Sequence, residues 1–142
     1  MASLARAALG LAWACLPGAV MAGDLQVVVT NVRNATGLIQ VGICPEALFL
    51  TEDCPYNAQA FAVPGTTIVT VPNVPEGIWA AQVYHDENMN EQVDRDLLGI
   101  PTEGIGFSNN PPFRFGPPSF LDARFGLTPA GGRITLRLRY FN

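Results

Sequence analysis

Between His85 and Asp96 the chain reads His85-Asp86-Glu87-Asn88-Met89-Asn90-Glu91-Gln92-Val93-Asp94-Arg95-Asp96, so that oxygen-bearing side chains recur at every second residue. Set against a calcium loop, Asp86, Asn88 and Asn90 take the first, third and fifth positions. Gln92 takes the seventh, where a backbone carbonyl ligates, and Asp94 the ninth. A turning backbone would aim these oxygens inward, and a hard ion such as Ca²⁺ is the fitting guest. The pattern departs from an EF-hand at the twelfth position, where Leu97 stands instead of a bidentate Glu. Asp96 or Glu103 could supply a further oxygen if the chain folds back. The same residues support a second reading, in which Asp86, Asn88 and Asn90 bond the amides of their own turns and Glu87, Glu91 and Asp96 face water. On sequence alone both readings stand.

Catalysis would have to rest on His85, the single histidine, with the carboxylates beside it as acid and base. The rest of the machinery is thin. No Lys is present for Schiff-base chemistry, and neither Ser108 nor Ser119 sits in a Gly-x-Ser-x-Gly elbow. One histidine cannot build a multi-histidine zinc centre. A carboxylate pair such as Asp86 and Glu103 is the remaining hydrolytic option, as in glycoside cleavage. The expectation is therefore a protein that is not an enzyme and has no catalytic residues. A hydrolase using His85 and nearby carboxylates is the least favoured alternative.

The first 22 residues carry one charge, Arg6, then an apolar stretch from Ala7 to Val20 and small residues near Ala22. This reads as a signal peptide cleaved before Gly23, too short in its apolar core to span a bilayer. Removal leaves no transmembrane segment and about 120 residues, enough for a single domain over 23–142. It also removes Cys15 and leaves Cys44 and Cys54. An even count in an oxidising compartment predicts a disulfide, with two free thiols as the alternative; the spacing excludes a CxxC redox pair. The expected location is periplasmic or extracellular. Every basic residue is Arg, eight in all against twelve acids, for a formal net charge of −4. That balance argues against nucleic acid as a partner.

Twelve Pro and fourteen Gly interrupt the short apolar runs, so no helical period is sustained. Leu25 to Val32 and Gly37 to Ile43 are predicted as strands of an opening hairpin, joined by Arg33-Asn34-Ala35-Thr36. A helical turn is predicted at Glu46 to Leu50, then strands at Ala58 to Val63 and Thr66 to Val71, broken by Pro64-Gly65. A further strand, Ile78 to Tyr84, leads directly into the acidic loop. Near the C-terminus Ile134, Leu136, Leu138 and Tyr140 alternate with Arg133, Thr135, Arg137 and Arg139, the clearest strand in the chain. The fold class predicted is all-β: an antiparallel β-sandwich of about seven strands with one long ordered loop, Asp86 to Phe120. The phenylalanines at 107, 113, 115 and 120 are expected to pack that loop onto the body.

Several linked motifs complete the picture. They are His85-Asp86-Glu87-Asn88…Asn90, Leu98-Gly99-Ile100-Pro101-Thr102-Glu103-Gly104…Gly106-Phe107-Ser108-Asn109-Asn110, Phe115-Gly116-Pro117-Pro118-Ser119-Phe120 and Asp122-Ala123. In these the chain, from about Leu25 to Tyr140, resembles a secreted bacterial family catalogued as domain of unknown function 2141. The resemblance implies an exported sandwich of the immunoglobulin-like or prealbumin-like class and implies no activity. Val74-Pro75-Glu76-Gly77-Ile78-Trp79 also looks like the Pro-Gly-aromatic step of carboxypeptidase-regulatory-like sandwiches. Members of the family often have Gly where this chain has Glu91, which puts a side chain at a turn position suited to positive φ at a cost of about 1 kcal/mol.

The role expected is that of an exported structural or binding module with a calcium-binding Asp/Asn loop. The alternative is a cell-envelope recognition module for carbohydrate or protein that needs no metal. A binding role predicts a concave patch containing Trp79, Tyr84 or the loop phenylalanines, whereas a purely structural role buries them.

Overall fold

The structure, a computed structural model, describes residues 22–142, so the leader expected over 1–22 lies outside the described residues apart from Ala22. Eight strands form two sheets. The first has the order β4 (Gly65–Pro75), β1 (Ala22–Val32), β8 (Gly132–Arg137). The second runs β3 (Tyr56–Phe61), β2 (Leu38–Cys44), β5 (Gly77–Asp86), β6 (Ile105–Phe107), and β7 (Phe125–Leu127) pairs with the start of β5.

Period-two alternation decides which face of each strand is buried. Leu25, Val27 and Val29 of β1, with Val69 and Val71 of β4 and Leu136 of β8, face Ile39, Val41 and Ile43 of β2 and Ala81 and Val83 of β5 across one core. Each fully buried aliphatic side chain stabilises by about 1.5–3 kcal/mol, so the core alone favours this register over a one-residue slip.

The opening hairpin is not formed. β1 pairs with β4 and β8, and β2 pairs with β3 and β5, so the two strands lie in opposite sheets. Both carry an apolar face, and the short link between them crosses from sheet to sheet to bury one against the other. Asn31, at φ 63°, sits at the register shift that ends β1, and its side-chain amide donates to Leu138 O at 2.8 Å.

A second departure concerns direction, since β8 runs parallel to β1, from Leu25↔Gly132 to Thr30↔Arg137. Alternation specifies faces and is silent on direction, and a parallel pair needs a long crossover rather than a hairpin. The remaining ladders are antiparallel.

Cys44 and Cys54 are disulfide-bonded, and both are buried. The bridge closes a segment containing a 3₁₀ turn at Glu46–Leu48 and stabilises by roughly 2–3 kcal/mol in the chain-entropy model. The long excursion after β5 is ordered in part by β6 and by the short helix α1 (Phe120–Ala123), capped by Ser119. Its phenylalanines pack edge-to-face, Phe107 with Phe113 at 5.6 Å and Phe49 with both Phe107 and Phe120 at 5.8 and 5.9 Å. Phe115 departs from the expectation. It stands fully in solvent at the Arg114–Gly116 tip, beyond reach of this cluster.

Candidate functional site

The acidic loop begins where β5 ends. Asp86 is fully buried, and its carboxylate is held by amides: Oδ1 accepts from Asn90 N–H at 3.1 Å and Oδ2 from Glu91 N–H at 2.9 Å, with Gln40 Nε2 donating to Oδ2 at 3.3 Å. A buried charge without such donors would be prohibitively costly. The turn this closes puts Met89 at φ 57° and Glu91 at φ 61°. Gly37, at φ 75°, lies against the backbone of Asp86 and Glu87, where a Cβ would collide.

Asn88 and Asn90 continue the turn. Asn88 Oδ1 accepts from Asn90 N–H at 3.3 Å, and Asn90 Oδ1 from Gln92 N–H at 3.1 Å. Both side-chain amides converge on Asp94, Asn88 Nδ2 donating to Oδ2 at 2.6 Å and Asn90 Nδ2 to Oδ1 at 2.8 Å. Gln92 contributes to this set through its backbone N–H. Glu103 does fold back: it is 4 % exposed and accepts from Glu87 N–H at 2.8 Å and Asp94 N–H at 3.3 Å, so one carboxylate ties both ends of the loop together. Burial pushes its pKa up, the two amides oppose that, and the charges of Asp94 and Asp86 add to the rise.

Asp96 belongs elsewhere. Its Oδ1 accepts from Leu98 N–H at 2.8 Å and Ile100 N–H at 3.0 Å, closing a separate turn. The structure thus gathers Asp86, Asn88, Asn90, Asp94 and Glu103, with Gln92 at the margin, and leaves Asp96 out. Most of the gathered oxygens meet loop amides, and among the described residues no group of three or more His, Cys, Asp or Glu is arranged to hold a metal ion.

Glu87 turns to the opposite side, where Arg33 grips both its oxygens at 2.6 and 3.2 Å and Asn34 Nδ2 donates at 2.7 Å. The hydrogen bond from Arg33 holds the Glu87 carboxyl below the usual glutamate value, against a smaller opposing effect of burial. Arg33 also lies 4.4 Å above the Tyr140 ring. The sequence offered no cue to this pair, because its members are far apart in the chain.

The residues weighed for catalysis are engaged in structure. Nε2–H of His85 donates to the Thr36 carbonyl at 2.7 Å, which leaves Nδ1 to accept from the Tyr140 hydroxyl at 2.8 Å. Ser108 Oγ accepts from Ala81 N–H and donates to Ala123 O, and Ser119 Oγ accepts from Asp122 N–H. Trp79 packs edge-to-face on Tyr56 at 5.4 Å and donates to Pro75 O at 2.9 Å.

The larger opportunity lies on the outer face of the second sheet. An open cleft of about 1400 Å³ is walled on one side by Leu50 and Thr51 of the disulfide segment and on the other by Val93, Ile100 and Pro101. Gln82 fixes the first wall, accepting from Leu50 N–H at 2.8 Å and donating to Thr51 O at 2.7 Å. The floor is a cross-strand rung, Gln59–Gln40–Tyr84–Ile105, one residue from each of four adjacent strands. Phe107 and Phe113 line the far end. The charged lining residues, Glu52, Glu91 and Arg95, are all exposed. Tyr84 is kept protonated, its pKa pushed up to about 12 by burial and then by the charges of Asp86, Glu103, Glu91 and Glu52.

A family model described as an uncharacterized protein conserved in bacteria, DUF2141, matches residues 27–135. The chain belongs to this family. The DUF2141 match runs from β1 to β8 and takes in the acidic loop and every residue of the cleft floor. No curated protein and no solved structure matches the chain.

Proposed function

We propose that this DUF2141 protein is an exported recognition module that holds a component of the cell envelope, carbohydrate or protein, in the cleft on its second sheet. The observation that carries the reading is the rung Gln59–Gln40–Tyr84, set between two walls that are each fixed by hydrogen bonds. Concave sites with a few placed polar groups and apolar flanks are where ligands bind. Export is supported by the apolar leader and by the Cys44–Cys54 disulfide. The test is titration of soluble envelope fragments, glycan and peptide, into isotope-labelled protein. Shifts gathered on the amides of Gln40, Gln59, Tyr84 and Ile105 support the reading. A ligand whose shifts gather on the opposite sheet, around Gln26 and Thr135, would sink it.

One observation favours a second role for the acidic loop. Asp86, Asp94 and Glu103 crowd together with only amides as hydrogen-bond partners, while the nearby Arg33 bonds Glu87 instead. A calcium ion would relieve that crowding, with Asp86, Asn88, Asn90, Gln92 and Asp94 as its oxygen donors once Asn88 and Asn90 turn their carbonyls toward it. Its chemistry there would be structural, pinning Val93 and its neighbours as one wall of the cleft.

A further inference from the structure

We infer that the cleft ligand is an uncharged carbohydrate, with sugar rings lying across the rung Gln59–Gln40–Tyr84. The inference rests on the recognition reading above and narrows it to one ligand class. The argument begins with what the floor leaves unspent. Gln40 uses only Nε2, on Asp86, so its Oε1 carries no hydrogen bond among the described residues. Neither end of the Gln59 amide and neither role of the Tyr84 hydroxyl has a hydrogen-bond partner among them. Asn57, on the next rung toward Gly42, spends Nδ2 on Cys54 O at 2.6 Å and keeps its Oδ1.

A side-chain amide both donates and accepts, and a tyrosine hydroxyl does the same. The ligand that matches such a surface presents closely spaced groups that also do both, and a ring of hydroxyls fits that description. Adjacent strands set these groups about 4.8 Å apart, so the rung from Gln59 to Ile105 extends roughly 14 Å, longer than one sugar ring. Tyr84 and Ile105 add an apolar flank on which the C–H face of such a ring can rest.

Charge points the same way. No cation stands on the floor to fix a phosphate or carboxylate; Arg95 is exposed at the wall and donates to Gly99 O at 3.1 Å. No carboxylate lies on the floor to fix an amine: Asp86 is fully buried with both oxygens accepting amides, and Glu52 and Glu91 stand exposed at the walls. Peptides that bind sheets commonly add a strand to an open edge, which here is β3, the strand that carries Gln59. β2 and β5, which carry Gln40 and Tyr84 at the centre of the rung, are paired on both sides, so a strand added at that edge would leave their free polar groups uncovered.

The experiment is a titration of the isotope-labelled, disulfide-intact protein with short chito-, gluco- and malto-oligosaccharides, and in a second arm with a pool of uncharged peptides. The expected result is saturable shifts at Gln40, Gln59 and Tyr84 with at least one saccharide series. Binding should weaken about tenfold in Gln59→Ala and severalfold in Tyr84→Phe, which keeps the ring and loses only the hydroxyl, while both variants keep the wild-type melting temperature within a few degrees. Cleft shifts with peptides but not saccharides overturn the carbohydrate assignment and leave the recognition site standing. Saccharide shifts that map outside the cleft overturn both. No shift with any saccharide overturns the carbohydrate inference.

Discussion

Asp86 Oδ2 accepts the N–H of Glu91 at 2.9 Å, at the point where Glu91 is held at φ 61°. The buried carboxylate accepts that amide, and the turn that closes on it carries Glu91 in the left-handed region. Most L-residues resist it. Glu91→Gly removes the steric conflict while keeping the N–H, and the gain exceeds the added flexibility of the unfolded chain. The expected outcome is a stabilisation of about 0.5–1 kcal/mol, read as a rise of a few degrees in Tm. An unchanged or lower Tm would show that the Glu91 side chain contributes something the geometry does not reveal.

The two glutamates flanking this turn should respond to pH in opposite senses. Glu87 has a folded pKa lowered by Arg33, so its contribution is present above the ordinary glutamate value and is lost as pH falls through the folded one. Glu103 has a folded pKa raised by burial, so the folded state holds the proton longer. Its ionisation costs stability as pH rises through the window between the ordinary and the folded value, and the cost is absent below it. Carboxyl-carbon NMR titration should place Glu103 above and Glu87 below the usual value. Arg33→Ala should return Glu87 upward and cost less than about 1 kcal/mol at neutral pH, because the ion pair is partly solvated. The reverse order of the two titrations would contradict the charge distribution described here.

Tyr140→Phe tests the network behind the loop. The hydroxyl donates to Nδ1 of the buried His85 and accepts the Arg33 N–H at 3.1 Å. Its loss leaves a buried acceptor and a backbone donor unpaired while the ring and its packing stay. The expected cost is about 1–3 kcal/mol by chemical denaturation with an unchanged m-value. A cost near zero would mean that water enters and replaces the hydroxyl.

How much of this was legible in the sequence depends on whether the relevant cue is local. The alternation of Leu136 and Leu138 with Arg137 and Arg139 gives the buried face of the last strand, and Cys44 and Cys54 lie near enough in the chain to suggest their bond. The Asp86 to Asp94 turn is likewise local, and its spacing identified the residues that meet there. The cleft floor is not local: Gln59, Gln40 and Tyr84 are ordinary outward residues of three strands, and only register makes them a rung. The same holds for Glu103, whose return to the loop depends on the Thr102 N–H to Asp94 O bond and the Arg95↔Pro101 bridge. Direction fails for the same reason, since nothing in the pattern of β8 says that it runs parallel to β1.

Gln82 is expected to hold the cleft open by acting on the backbone beside it. Its side chain accepts from Leu50 N–H and donates to Thr51 O, so Gln82→Ala frees the segment between the two cysteines without touching the floor. Hydrogen exchange at Leu50 should accelerate severalfold or more, for a global loss of only about 1 kcal/mol, because the Cys44–Cys54 bond still limits the segment. Equal protection of Leu50 in the variant would mean that the disulfide alone fixes this wall.

Calcium should stabilise the protein weakly and through Asp94. The two oxygens of Asp94 meet the side-chain amides of Asn88 and Asn90, so a bound ion must compete with those hydrogen bonds as well as with water. That competition places the affinity at the weak end, on the order of 10⁻⁴–10⁻³ M. At about 1 mM calcium the linkage relation then gives about 0.4–1.4 kcal/mol, a shift of about 2–6 °C. Magnesium should give less, because it demands a tighter octahedral shell and sheds its water reluctantly. Asp94→Ala should abolish the calcium shift while leaving Asp86 and its turn in place. An equal shift with both ions, or one that survives in Asp94→Ala, would reduce the effect to screening of the crowded carboxylates. No shift at all would leave the loop as a set of Asx turns that positions Val93 and Glu91 beside the cleft by hydrogen bonding alone.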